Sequence, residues 1–123
     1  MNISYHSYEV FPGWNRAPEL FKSLLAEHGS KRILEVGSGA NPTLPPEFVK
    51  QNRLSYVTSD LSPEELEKSD PAFERLVLDL SSDAIDPSLT GNFDCVLSRM
   101  VGEHISDGEQ YHKNIYKILR PGG

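Results

Sequence analysis

Four short apolar runs along the chain alternate with segments whose apolar residues have helical spacing. The runs predict β-strands over residues 32–36, 54–59, 75–78 and 93–98. The periodic segments predict helices over residues 18–28, 45–52, 62–68 and 107–119. Residues 1–16 follow neither pattern, so we expect an irregular lead-in there. Strands that alternate with helices are typical of a mostly parallel sheet with helices on both faces, which predicts an α/β fold.

Two of the predicted helices begin with capping residues. Ser62 and Glu65 have the form of a capping box, in which the serine hydroxyl accepts from the third helical N–H and the glutamate returns the bond. Pro63 suits the first helical position between them. Asp107, with Gln110 three residues later, can cap the last helix in the same way.

Composition and charge narrow the class of protein. The chain has 123 residues, 37% of them hydrophobic and 24% charged, which suits one globular domain. Its net charge is −6, whereas proteins that neutralise nucleic-acid phosphates usually carry a basic excess, so we expect no nucleic-acid partner. Cys95 is the one cysteine, which excludes an internal disulfide and favours a reducing compartment. The sequence shows neither a secretory signal nor a membrane-spanning run, so we expect a cytoplasmic protein.

The ends of the predicted strands carry most of the polar chemistry. In a parallel sheet, ligands bind beyond the carboxyl ends of the strands. Residues 33–42 read ILEVGSGANP, so the first strand runs into Gly37 and Gly39. Glycines let the backbone turn sharply and approach a ligand closely, and N–H groups exposed there favour an anion. A tight turn without a ligand explains two glycines equally well.

Acidic residues follow the next two strands. Asp60 lies 23 residues after Gly37, where a carboxylate can accept from both hydroxyls of a ribose. Asp79 ends the third strand and can accept from an exocyclic amine such as that of adenine. Each aspartate alone is also an ordinary turn or cap residue. Together with the glycines, they predict a site for an adenosine with a polar tail.

Asn41 and Pro42 indicate which kind of adenosine compound fits. In the dinucleotide pattern G-x-G-x-x-G, the third glycine would fall at position 42. Pro42 has no N–H to donate and forces Asn41 toward an extended conformation, which argues against a pyrophosphate cradle. Glu35 adds a negative charge that would repel phosphate and suit an ammonium. The sequence therefore predicts a ligand with an amino-acid tail.

In these segments the sequence resembles the class I S-adenosylmethionine-dependent methyltransferases. The similar segments, in order, are ILEVGSGANP, YVTSDL, LVLDLSS, FDCVLSRMVGEHI and NIYKILRPGG. They run from about residue 30 to residue 123 with fitting spacing. The resemblance implies a Rossmann-like sheet in the strand order 3-2-1-4, S-adenosyl-L-methionine as the cofactor, and methyl transfer to a small-molecule acceptor. Asn41 departs from the family pattern, since many members carry a third glycine there.

The resemblance also implies roles for the residues that match. The implied cofactor-binding residues are Glu35, Gly37, Ser38, Gly39, Asp60, Leu61, Asp79, Leu80, Ser98 and Arg99. The first four would surround the methionine moiety. Asp60 would accept from the ribose hydroxyls, with Leu61 beside the adenine. The adenine would be held by Asp79 and Leu80, and the last two residues would line the other side of the cofactor. No metal is implied.

Two further features bear on the predicted active site. His104 is the candidate catalytic base, needed only where the acceptor holds a proton that it does not lose unaided. A histidine that caps a loop or pins the last helix is the alternative. The aromatic residues before the first helix could fold over the cofactor as a lid, or could cover the edge of the sheet. They are Tyr5, Tyr8, Phe11 and Trp14.

The resemblance covers part of the family fold. Class I methyltransferases have seven strands, and the chain stops at the turn into the fifth. We therefore expect residues 17–123 to be the cofactor-binding part of a truncated domain, with an open edge at the fourth strand through which oligomers could form. Such a chain would be poorly stable, would bind the cofactor weakly and would transfer little methyl. The alternatives are an NAD(P)-dependent oxidoreductase fragment and a non-catalytic remnant.

Overall fold

A parallel four-stranded sheet forms the centre of the structure, a computed structural model that describes residues 16–123. The strands are β1 (Arg32–Val36), β2 (Ser55–Asp60), β3 (Glu74–Val77) and β4 (Cys95–Ser98). Their order is β3-β2-β1-β4, and all three pairings are parallel. The predicted α/β class and the predicted strand order 3-2-1-4 are therefore confirmed.

Helices and short turns connect the strands. The helices are α1 (Ala17–His28), α2 (Pro46–Gln51), α3 (Pro63–Glu67) and α4 (Gly108–Ile118). Two 3-10 turns, Pro87–Leu89 and Gly102–His104, are too short to show a helical period in the sequence. Within residues 16–123, no helix has both the length and the apolar character that crossing a bilayer requires.

The predicted helix caps are present, with one difference. The Ser62 hydroxyl accepts from the N–H of Glu65 at 3.2 Å, and Asp107 accepts from the N–H of Gln110 at 3.0 Å. The Glu65 side chain does not return the bond to Ser62 but pairs with Lys68. The physical reason is that the Ser62 N–H is already taken, because it donates to Asp60 Oδ1 at 3.1 Å.

Buried residues on alternate positions of the strands build a core on each face of the sheet. On one face Leu34 of β1 belongs to a cluster that includes Ile118 of α4. On the other face its neighbour Ile33 belongs to a cluster that includes Leu25 of α1. Side chains alternate between the faces of a strand, so this arrangement places α1 and α4 on opposite sides of the sheet. Each face is thus covered, as a parallel sheet requires.

The fourth strand begins two residues later than the sequence predicts. Phe93 is fully buried but lies before β4 and forms an isolated parallel bridge with Leu119. Its N–H donates to the carbonyl of Ile118 at 3.0 Å, and its carbonyl accepts from Arg120 at 2.9 Å. The segment that follows α4 therefore lies beside the start of β4.

Candidate functional site

The loop between β1 and α2 depends on its two glycines. Gly37 and Gly39 have φ angles of +65° and +48°, the left-handed region that glycine adopts without strain. A Cβ built on Gly37 would lie 2.5 Å from Cγ2 of Val101, so a larger residue there would displace Val101. Between them, the Ser38 N–H donates to the carbonyl of Ser59 at 3.0 Å, which fixes the loop above the end of β2.

The carboxylate of Glu35 fixes the far end of the same loop. Its side chain is 1% exposed and accepts from the N–H of Thr43 at 2.8 Å and from the Thr43 hydroxyl at 2.5 Å. The hydroxyl of Tyr56 on β2 donates to the same carboxylate. Burial raises the pKa of this hydroxyl, and the charge of Glu35 together with the hydrogen bond raises it further. The Glu35 carboxylate is therefore hydrogen-bonded within the protein, to the loop and to β2.

The carboxylate of Asp60 lies close to the backbone of Gly39. A Cβ on Gly39 would lie 3.2 Å from Asp60 Oδ2 and 3.6 Å from Cβ of Glu65. The other oxygen of Asp60 holds the start of α3 through Ser62. The sheet thus brings the predicted ribose-binding acid and the glycine loop together at the ends of neighbouring strands, although they are 21 residues apart in sequence.

A cavity of about 550 Å³ opens beside this loop, a size typical of small-molecule sites. Its lining residues are Ala17, Glu35, Gly37, Ser38, Asn41, Arg99 and Met100. Four of the predicted cofactor-binding residues, those at positions 35, 37, 38 and 99, are among them. The Arg99 guanidinium donates to the carbonyl of Asn41 at 3.3 Å, which links the end of β4 to the glycine loop.

The predicted adenine-binding residues lie at the ends of β2 and β3. Leu61 follows Asp60 and is 66% exposed, an apolar surface next to the carboxylate. Asp79 is exposed and accepts from the N–H of Ser81 at 2.8 Å. The Leu80 side chain, by contrast, is 3% exposed within the core. Contact between Leu80 and a ligand would therefore involve its main chain.

Ser98 and His104 lie apart from the cavity. Ser98 lines a separate groove of about 620 Å³ along the outer edge of β4, together with Leu24 and Leu119. His104 is exposed in the turn after β4 and does not belong to the described residues that line the cavity. Ser98 is the last residue of β4, and Arg99, the next residue along the chain, lines the cavity. The role of Ser98 at the cofactor stays a prediction.

Three residues shape the site without having been identified from the sequence. Thr43 and Tyr56 hold Glu35, as described above. Asn114 of α4 is 4% exposed and donates to the carbonyls of Leu80 and Ser82, both at 2.8 Å. It thereby fixes the loop after β3. An asparagine on the apolar face of a predicted helix is the one sequence signal that could have indicated this role.

The predicted lid cannot be placed in the structure. The aromatic residues Tyr5, Tyr8, Phe11 and Trp14 lie outside the described residues, so their role as a lid stays a prediction. In the part of the chain that the structure describes, no three His, Cys, Asp or Glu side chains come together as a metal-binding group.

A glycine loop and a strand-end aspartate on a parallel sheet define a nucleotide-binding α/β domain. Comparison with known families identifies this one. The chain belongs to the family described as "Methyltransferase domain", whose model matches residues 9–123. This confirms the resemblance to methyltransferases and favours it over the NAD(P)-dependent oxidoreductase alternative. No protein with a curated description matches the chain.

Solved structures with the same fold include several methyltransferases. The trans-methyltransferase CalH, in complex with SAH, is 26% identical with a TM-score of 0.67 over 88% of this chain. An S-adenosylmethionine-dependent methyltransferase from Mesorhizobium loti is 21% identical with a TM-score of 0.67 over 89% of the chain. The sugar N-methyltransferase KedS8 from a Streptoalloteichus species is 16% identical with a TM-score of 0.63 over the whole chain. The chain spans 34%, 52% and 53% of these structures, respectively.

Proposed function

We propose that this chain binds S-adenosyl-L-methionine at the carboxyl edge of its sheet and serves methyl transfer to a small-molecule acceptor. The observation that carries the proposal is the approach of the Asp60 carboxylate to the backbone of Gly39. A Cβ at position 39 would lie 3.2 Å from Asp60 Oδ2, so the glycine lets the loop backbone lie beside the carboxylate that would accept from the ribose hydroxyls.

The residues around this point suit the parts of the cofactor. Asp60 Oδ2 would accept from the ribose hydroxyls, and the exposed side chain of Leu61 would pack beside the adenine. Asp79 would accept from the adenine amine. The amino-acid tail would lie in the cavity beside Gly37 and Ser38. The Glu35 carboxylate would contribute negative charge near the ammonium while it holds the loop.

Methyl transfer from this cofactor requires mainly that the reactants are correctly positioned. When bound, the cofactor supplies a methyl group on a positively charged sulfur, which needs no further activation by the protein. The chain's own residues therefore have to hold the reactants in line and keep water away. His104 is proposed as a base only for acceptors that hold a proton, since other acceptors need none. It lies outside the lining of the cavity. The net charge of −6 favours a small-molecule acceptor over nucleic acid.

Calorimetric titration with S-adenosylhomocysteine tests the proposal. The wild-type chain is expected to bind it, and Asp60→Asn is expected to bind at least ~10-fold more weakly because a hydrogen bond to a charged group is lost. Asparagine keeps an oxygen that can accept from the Ser62 N–H, so α3 should remain in place. Glu67→Gln is the matched control, since Glu67 is exposed at the end of α3.

Each alternative function predicts a different result in these titrations. Equal affinities in the Asp60 and Glu67 variants would exclude the ribose role of Asp60. Binding of NAD without binding of S-adenosylhomocysteine would support an oxidoreductase instead. Binding of neither compound would support a non-catalytic remnant.

A further inference from the structure

Met100 combines a strained backbone with an exposed apolar side chain. Its φ angle is +58°, and among the described residues only one other non-glycine residue, Arg53, has a positive φ. The left-handed region is unfavourable for a residue with a Cβ. The Met100 side chain is 61% exposed and lines the cavity beside the glycine loop.

The neighbours of Met100 explain its conformation. On one side, Arg99 donates to the carbonyl of Asn41 at 3.3 Å. On the other, Val101 packs so closely on Gly37 that a Cβ there would lie 2.5 Å away. Both neighbours thus bind the glycine loop and leave Met100 in a tight turn between them. Such strain persists where the surroundings over-determine the backbone, commonly at functional sites.

The lining of the cavity shows what the side chain adds. Of the seven lining residues, only Ala17 and Met100 have apolar side chains. The others are glycine or carry polar groups, which suit the carboxylate and ammonium of an amino acid. A glycine at position 100 would adopt the observed φ without strain but would leave that wall without an apolar side chain. The thioether of methionine is flexible and polarisable, and it packs well against carbon and sulfur.

We propose that Met100 is a cofactor-binding residue whose side chain packs against the aliphatic chain and sulfur of the cofactor's methionine moiety. This inference rests on the proposed function. It deepens that proposal, because neither the glycine loop nor the strand-end acids provide an apolar contact at this part of the ligand.

Two variants test the inference by titration with S-adenosylhomocysteine and by thermal unfolding without ligand. Met100→Gly is expected to bind S-adenosylhomocysteine ~10-fold more weakly, because the apolar contact of one side chain is lost. Its Tm is expected to stay level or rise by a few degrees, because the strain at φ +58° is relieved. Met100→Leu keeps the apolar bulk and is expected to bind within ~3-fold of the wild type.

Opposite changes in affinity and stability distinguish a ligand contact from a structural role. Wild-type affinity in Met100→Gly would overturn the inference while the proposed function stands. A parallel loss of Tm and affinity would overturn it too, since Met100 would then act through the fold. Equal losses in the Gly and Leu variants would exclude an apolar contact. No binding by the wild-type chain would overturn the proposed function and this inference with it.

Discussion

Tyr56→Phe isolates the buried hydrogen bonds beneath the glycine loop. The change removes the hydroxyl that donates to Glu35 and keeps the ring, whose edge packs on Phe73 at 5.0 Å between centroids. A hydrogen bond to a charged group contributes about 1.5–3 kcal/mol. The hydroxyl also accepts from the N–H of Leu44, at a long 3.4 Å, which adds little. We therefore expect a loss of about 2 kcal/mol in the free energy of unfolding and a Tm lower by roughly 6–10 °C.

Urea unfolding of two matched variants checks this value. Tyr116→Phe removes a hydroxyl from a side chain that is 85% exposed on α4, so its stability should stay within ~0.5 kcal/mol of the wild type. Tyr56→Phe should also weaken binding of S-adenosylhomocysteine, because Glu35 then holds the loop through Thr43 alone. The reasoning fails if both tyrosine variants unfold at the same urea concentration as the wild type.

The raised pKa of Tyr56 predicts how the stability difference between the wild type and Tyr56→Phe depends on pH. Burial, followed by the charge of Glu35, raises the pKa of Tyr56 in the folded state, whereas an unfolded tyrosine titrates near pH ~10. Because the folded pKa lies above the unfolded one, the contribution of Tyr56 is complete below pH ~10 and declines as the pH rises further. The stabilities of the wild type and Tyr56→Phe should therefore converge above pH ~10. A constant difference through that range would contradict the assignment.

Three further substitutions have defined outcomes in thermal or urea unfolding. Gly37→Ala should cost about 1–3 kcal/mol because the new Cβ meets Val101 at 2.5 Å, and Val101→Ala in the same chain should restore part of it. Tyr111→Phe should leave the free energy of unfolding unchanged or raise it, since the buried hydroxyl of Tyr111 has no hydrogen-bond partner among the described residues. A loss above ~0.5 kcal/mol would show that the hydroxyl has a partner. Burial raises the pKa of Asp94, but hydrogen bonds from two N–H groups at the start of β1 and the charge of Arg120 outweigh it, so the net shift is downward. Asp94→Asn should thus cost about 1–2 kcal/mol at neutral pH, and its difference from the wild type should close as the pH falls below ~4.

The sheet could be predicted from the sequence because its strands carry an unambiguous signal. β1 spans the predicted residues 32–36, Asp60 ends β2, and Asp79 lies just beyond the carboxyl end of β3. The start of β4 could not be predicted in the same way. Phe93 continues the apolar run, and only the segment after α4 shows that it bridges to Leu119 before the strand begins.

The interior of the site was less predictable because its contacts join distant residues. Glu35 suggested an ammonium ligand, yet its partners within the protein are 8 and 21 residues away, at Thr43 and Tyr56. A strand pattern shows that Tyr56 is buried but not which loop its hydroxyl meets. Likewise, the resemblance assigned Ser98 and Arg99 together, and the sequence does not show that Ser98 lines a groove beside β4 while Arg99 lines the cavity.

The link between Arg99 and Asn41 joins two segments that are 58 residues apart. Within the described sheet, β4 lies at one edge and β3 at the other. Edge strands open locally more readily than central ones, and amide hydrogen exchange measures such opening. Because Arg99 and Met100, just after β4, line the cavity, a ligand bound there should slow exchange in β4 by mass action. Opening of this edge strand and occupancy of the cavity are therefore linked equilibria.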